Sequence, residues 1–213
     1  MTPADYEAWY ATPRGHWIGE TEYALAARSL VAQQDDSLLD IGCGTGWFTR
    51  RAAADGLVVT GLDPNAAWLD YARAHSSPAL NWVEGDARHL PFADASFDHV
   101  LSIAALCFVD DERRAVAEAV RVARRGFALG WLNRASLLYG QKGRHGGSGA
   151  YRGARWHTPR EVRALFSGLP VKDVSLRSAI FLPSGTRWVR RVERVVPESL
   201  PWGGLLLASG EKA

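Results

Sequence analysis

An α/β fold built on a doubly wound sheet is what the sequence predicts, and three observations predict it. Short apolar runs alternate with longer helix-patterned stretches between residues 37 and 132; the first run ends in three glycines spaced by single residues; the next two runs each end beside an aspartate. Alternation of this kind implies parallel strands joined by right-handed crossovers, with helices on both faces of the sheet. A length of 213 residues suits one substantial domain and is too short for two full ones.

The elements follow in order. Residues 6–11 and 20–34 are expected as leading helices, the second with Tyr23, Ala26, Ala27, Leu30 and Val31 on one face. A strand at 37–41 opens through the glycines into a helix at 47–55. Then come a strand at 57–62, a helix at 65–75, a strand at 80–84, a strand at 97–103, a helix at 111–123 and a strand at 126–132. From 133 to 158 the regularity breaks down: glycines cluster from Gly140 to Gly153, with Arg and Lys between them and no acid, which marks a lid-like basic insertion. A helix at 159–167, a strand at 171–176, an amphipathic stretch at 186–196 and a last strand at 205–209 close the sheet with an antiparallel pair. One domain over 1–213 is expected, with 1–34 as a helical cap.

Composition narrows the function. Hydrophobic residues at 47% and charged residues at 23% give a chain that folds around a core. A formal charge of +2 supplies no whole-molecule field toward nucleic acid or anionic lipid. Cys43 and Cys107 make neither a disulfide framework nor a zinc site, so free thiols in a reducing cytosol and no metal are expected. Residues 1–10 lack a basic region followed by an apolar one, and the apolar runs fall short of the roughly 20 residues of a membrane span, which predicts a cytoplasmic protein.

The chemistry concentrates in Leu38-Leu39-Asp40-Ile41-Gly42-Cys43-Gly44-Thr45-Gly46, where a buried strand delivers an acid and three glycines to its C-terminal end. Ligands of open α/β sheets bind at that end, and glycine lets backbone approach them closely. A dinucleotide fingerprint, G-x-G-x-x-G/A, would need a small residue where Trp47 stands, which weakens a nicotinamide reading. Asp63 closes the second strand, where a carboxylate can accept from two adjacent ribose hydroxyls. Asp86 follows the third, placed to accept from an adenine amino group, and Leu62, Pro64 and Ala87 supply apolar walls. Cys43 reads as a small polarizable residue of the turn, with no base beside it to make it a nucleophile.

On these residues, and on Leu90-Pro91-Phe92 and Ser96-Phe97-Asp98-His99-Val100, the segment resembles the class I S-adenosylmethionine-dependent methyltransferases, in the UbiE-like branch that includes many small-molecule enzymes. The resemblance runs from about Leu38 to Leu132. It implies a Rossmann-like sheet of seven strands, in the order 3-2-1-4-5-7-6 with strand 7 antiparallel. It implies S-adenosylmethionine as cofactor and S-adenosylhomocysteine as product. Asp40, Gly42 and Gly44 would line the methionine side, with the backbone at Ile103 and Ala104; Asp63 would hold the ribose, and Asp86 with Ala87 would face the adenine. The opening Tyr6-Glu7-Ala8-Trp9-Tyr10 is similar to leaders of this branch that fold over the cofactor, so Tyr6 and Trp9 are expected to cap the site.

The acceptor is far less legible. Cys107 and Phe108 follow the fourth strand, where substrate contact and plain packing are equal alternatives. The insertion sets Arg134, Lys142, Arg144, Arg152, Arg155 and Arg160 among Tyr139, Tyr151 and Trp156, a composition that suits an anionic or aromatic small molecule or a solvated loop. Methyl transfer from a sulfonium needs alignment more than acid-base chemistry; if a base exists, His145 and His157 of the insertion are the candidates. Asp98 reads as a structural pairing residue, and Asp110 and Asp111 as helix caps. Arg187, Arg190, Arg191 and Arg194 form a basic helix face. An RNA-directed methyltransferase and a non-catalytic S-adenosylmethionine-binding module remain open beside the small-molecule enzyme.

Overall fold

The computed structural model describes residues 2–213. Two helices lead. Thr2 and Asp5 form a reciprocal capping box at the start of α1 (Pro3–Ala11), and the Thr12 hydroxyl accepts from the Gly15 amide to open α2 (Pro13–Leu30) with Pro13 in the first turn. The start at residue 13 corrects the expected helix at 20–34 at both ends: Thr12-Pro13 is a start signal, and Val31 turns left-handed at φ 51° to stop the helix.

The Rossmann-like core follows as β1 (Ser37–Ile41), α3 (Trp47–Ala54), β2 (Val58–Asp63), α4 (Ala66–Ala74), β3 (Asn81–Glu84), β4 (Phe97–Ile103), α5 (Glu112–Val122) and β5 (Ala123–Leu132). After the insertion come α6 (Pro159–Leu165), β6 (Val171–Ala179), α7 (Arg187–Glu193) and β7 (Leu205–Lys212). The seven strands run in the order β3-β2-β1-β4-β5-β7-β6, with β7 antiparallel to both of its neighbours and the rest parallel, as expected.

Successive side chains of a strand point to opposite faces, and the core divides accordingly. Leu39, Val100, Phe127 and Leu129 join Val116, Val120 and Val162 on one face; Leu38, Leu101, Ala128 and Leu207 join Leu25, Ala26, Phe48 and Ala52 on the other. The three terminal strands exceed their expected lengths. Residues 123–125 of β5 are carried by ion pairs at the sheet's foot, Arg124 to Asp98 at 2.8 Å and Arg125 to Asp36 at 3.0 Å, and Lys172 pairs with Glu211 at 3.1 Å across β6 and β7.

Trp47, the residue that spoils the dinucleotide fingerprint, has a structural use. Tyr10 of α1 stacks on it with centroids 4.7 Å apart and planes 14° apart, and a Cβ on Gly19 of α2 would lie 2.8 Å from its ring. Glu7 pairs with Arg50 and Tyr6 meets Trp68 edge-on at 5.1 Å, so the cap is tied to α3 and α4.

Candidate functional site

β1 leads on to β2 and β3 on one side while β4 and β5 lie on the other, so the sheet order reverses between β1 and β4. A cavity of about 840 Å³ opens there, toward the large end of small-molecule sites. Its inner wall holds Ile41, Gly42, Cys43, Gly44, Asp63, Pro64, Asp86, Ala87, Ile103 and Ala104. Its outer wall comes from the cap and the insertion, including Tyr6, Trp9, Tyr10, Ile18, Glu22 and Tyr151.

The turn after β1 is built for close approach. Gly42, Gly44 and Gly46 have φ of 73°, 56° and 83°, and a Cβ on Gly42 would stand 2.2 Å from the Cβ of Ala105. The Gly42 and Cys43 amides donate to the Leu62 carbonyl at 2.7 and 3.0 Å, clipping the turn to β2. Ala104, at φ 53°, takes a left-handed conformation on the facing wall, a cost the fold bears beside the cavity.

Asp63 accepts from the Gly44 amide at 3.0 Å through one oxygen and from the Asn65 amide at 2.9 Å through the other. A carboxylate offers about four lone-pair sites, so each oxygen keeps one for a hydroxyl of the ligand. Burial raises its pKa, against the pull of these two amides. Asp40 does not line the cavity. It lies buried beneath the turn, accepts from the Thr49 hydroxyl at 2.6 Å, and is pushed up to about 7 by burial, with a smaller contribution from Asp63. Its place is to support the turn from below.

Asp86 lines the cavity, but Arg88 grips both of its oxygens through Nε at 3.0 Å and the terminal nitrogen at 2.6 Å, and the Arg88 amide adds a third donor at 2.8 Å. These bonds hold its pKa down at about 2. The expected hydrogen bond to an adenine amine is therefore contested by a bound guanidinium, which itself lines the cavity.

Several acceptor-side expectations change. Tyr6, Trp9, Phe108 and Tyr151 line the cavity; Cys107, Tyr139, Arg155 and Trp156 do not. Cys107 is fully buried and accepts from the Leu132 amide at 3.2 Å. Burial pushes both thiols up, Cys107 to about 12, and both are free. Tyr139 and Trp156 pack ring to ring at 5.4 Å behind the wall.

The two histidines proposed as bases stand away from the cavity. His157 is held by Glu112 at 2.7 Å, on the other oxygen of a carboxylate that accepts from Arg155 at 2.8 Å. His145 is exposed, at φ 56° in a 3-10 turn, and is not part of the lining. Arg134 pairs with Glu161, so among the basic residues of the insertion Lys142 alone reaches the cavity. In α7, Arg190 ties the helix to the Gly185 and Pro13 carbonyls at 2.9 and 2.8 Å.

Residues that sequence reasoning missed come from α2: Arg14, Ile18 and Glu22 all face the cavity. The signal was available. With the helix started at Pro13, Glu22 falls four residues after Ile18 and four before Ala26, inside the buried stripe.

Sheet order, glycine turn and strand-end carboxylates define the architecture of the class I S-adenosylmethionine-dependent methyltransferases. Comparison with known proteins agrees. Residues 39–129 match a family model described as a methyltransferase domain. An uncharacterized protein of Mycobacterium tuberculosis (strain ATCC 25618 / H37Rv) is 35% identical over 188 residues, 85% of this chain and 62% of that protein. A malonyl-acyl-carrier-protein O-methyltransferase of Erwinia pyrifoliae is 43% identical over 89 residues, 42% of this chain and 34% of the enzyme. The chain thus spans less than two thirds of the length of these relatives. Among solved structures, a methyltransferase of Thermotoga maritima titled as a possible histamine N-methyltransferase is 23% identical, with a TM-score of 0.77 over 99% of this chain and 95% of its own. Among the described residues no helix is long and apolar enough to cross a membrane, and no cluster of three or more metal-ligating side chains occurs.

Proposed function

We propose that this chain transfers the methyl group of S-adenosylmethionine to a small organic acceptor. One observation carries the reading: the cavity that begins at the glycine turn and Asp63 continues without a partition to the aromatic wall of Tyr6, Trp9, Tyr10 and Tyr151. Donor and acceptor thereby share one enclosure.

The residues present fit the cofactor. Asp63 keeps unused lone pairs for vicinal hydroxyls, and the Gly44 turn beside it lines the same cavity. Gly42, Cys43, Gly44 and the backbone at Ile103 and Ala104 would hold its amino acid end, Asp63 its ribose, and Leu62, Pro64 and Ala87 its base. When bound, S-adenosylmethionine supplies a methyl group already activated on a sulfonium. The chain's own work is to hold the acceptor in line, exclude water with the α1 and α2 cap, and receive a proton where the acceptor carries one.

A release assay for S-adenosylhomocysteine across a metabolite panel tests the proposal. Asp63→Ala should weaken calorimetric binding of S-adenosylhomocysteine at least tenfold; unchanged binding would overturn this assignment of the cofactor site.

A further inference from the structure

Glu22 stands alone in an aromatic chamber. It projects from the buried stripe of α2 into the cavity, and among the described residues no hydrogen bond or ion pair engages its carboxyl group. Tyr6, Trp9 and Tyr10 of α1 and Tyr151 of the insertion share the lining with it. The phenols of Tyr6 and Tyr10 bond to each other at 3.3 Å, and the Glu22 charge helps to raise the pKa of Tyr6, Tyr10 and Tyr151. Arg14, eight residues earlier on the same helix, donates instead to the Pro183 carbonyl at 2.6 Å. Burial pushes the Glu22 carboxyl up to about 8. Glu22 is half-buried, and a carboxyl group without a partner at the wall of a cavity is placed for a ligand to complete it.

We propose that Glu22 receives the ammonium group of an arylalkylamine acceptor and takes its proton, leaving the nitrogen lone pair free for methylation. The proposal rests on the methyl-transfer reading and names its acceptor class. A carboxylate answers a cation, and faces of Tyr and Trp attract ammonium groups while their edges and bodies pack an aromatic ring. The enclosure favours a neutral acid beside a neutral amine over a separated pair of charges. The balance is complete: one N–H bond of the ammonium breaks and one O–H bond forms on Glu22; the nitrogen lone pair then forms the C–N bond as the C–S bond breaks, its electrons remaining on sulfur. Glu22 gives its own proton to solvent as the ammonium enters, so it ends the cycle carrying the proton it took; the product leaves as a methylammonium ion, and one proton is released per turnover.

The protonation step gives a readout independent of turnover. At pH 7 the free carboxyl and the free ammonium each carry a proton, whereas the complex keeps one between them, so binding releases close to one proton. The other titratable and charged neighbours in the lining include Tyr6, Tyr10, Tyr151, Arg14 and Asp63, and burial holds the three phenols above the usual tyrosine range. Calorimetry on the S-adenosylhomocysteine complex, in two buffers of different ionisation enthalpy, tests phenethylamine, tyramine and tryptamine against the three corresponding alcohols. At least one amine should bind tenfold or more tighter than its alcohol, with proton release. Glu22→Gln should abolish both the preference and the release while binding S-adenosylhomocysteine as the wild type does. Equal affinity for amines and alcohols, binding of no amine, or a preference that survives in Glu22→Gln would overturn the role of Glu22. Failure of the wild type to bind S-adenosylhomocysteine would instead overturn the methyl-transfer reading on which it rests.

Discussion

Replacing Gly42 by alanine should damage the molecule through one identifiable contact. The new Cβ would stand 2.2 Å from the Cβ of Ala105, whereas carbon atoms in contact prefer about 3.5–4.0 Å. The turn cannot yield freely, because the amides of Gly42 and Cys43 are clipped to the Leu62 carbonyl. Losing one such bond costs about 1 kcal/mol, and a left-handed φ of 73° in a residue with a Cβ adds about 1–2 kcal/mol. A total of roughly 2–3 kcal/mol lowers the Tm of a chain this long by about 4–12 °C. The second nearest atom to the new Cβ is the Ala105 Cα at 3.7 Å, an ordinary distance. Ala105→Gly in the Gly42→Ala background should therefore recover the steric share of the loss and leave the conformational share. Chemical denaturation of the wild type, both single variants and the double variant yields the coupling energy. A coupling below about 0.5 kcal/mol would refute the steric argument, since variants at unrelated sites add to within that margin.

Three further outcomes follow from the same geometry. Asp98 accepts from the Ser37 hydroxyl and amide and from Arg124, which holds its pKa well below the usual carboxylate range; Asp98→Asn should cost about 1–2 kcal/mol at pH 7. Because the folded pKa is depressed, this contribution is present above about pH 4 and fades as acid protonates the group, so the wild type and variant denaturation curves should converge toward pH 2. Glu112→Ala removes the shared partner of Arg155 and His157 and should cost about 2–4 kcal/mol, while His157→Asn should lower the Tm and leave the pH dependence of turnover unchanged; a shifted pH profile would restore His157 as a base. Neither Cys43 nor Cys107 should react with iodoacetamide in the native protein at pH 8, and both should react in denaturant, as mass spectrometry would record.

The sheet was legible because its strands are buried runs whose side chains alternate between two apolar faces, a pattern that survives without any knowledge of contacts. The inner wall of the cavity was legible because glycine and aspartate at strand ends have few other uses. Glu22 was hidden by a boundary: with α2 begun at residue 20, Ile18 and Gly19 were outside the helix and the stripe that contains Glu22 was not drawn. The insertion stayed open between a lid and a solvated loop for another reason. Arginines that read as a substrate-facing set are satisfied by Glu112 and Glu161, acids that lie on α5 and α6 and that only folding brings near. Asp86 was half legible, since its strand-end position was plain while the two-residue reach of Arg88 back onto it was overlooked.

The cavity is assembled from two separate stretches of inheritance. Its inner wall falls within residues 39–129, the span that the methyltransferase-domain model matches, whereas Glu22 and the rings of Tyr6, Trp9, Tyr10 and Tyr151 come from sequence on either side. Substitutions at these outer-wall positions would change the shape offered to a guest while the glycine turn keeps its clip to Leu62. By the same token, kinship measured across the matched span is informative about that wall and nearly silent about the guest admitted beside it.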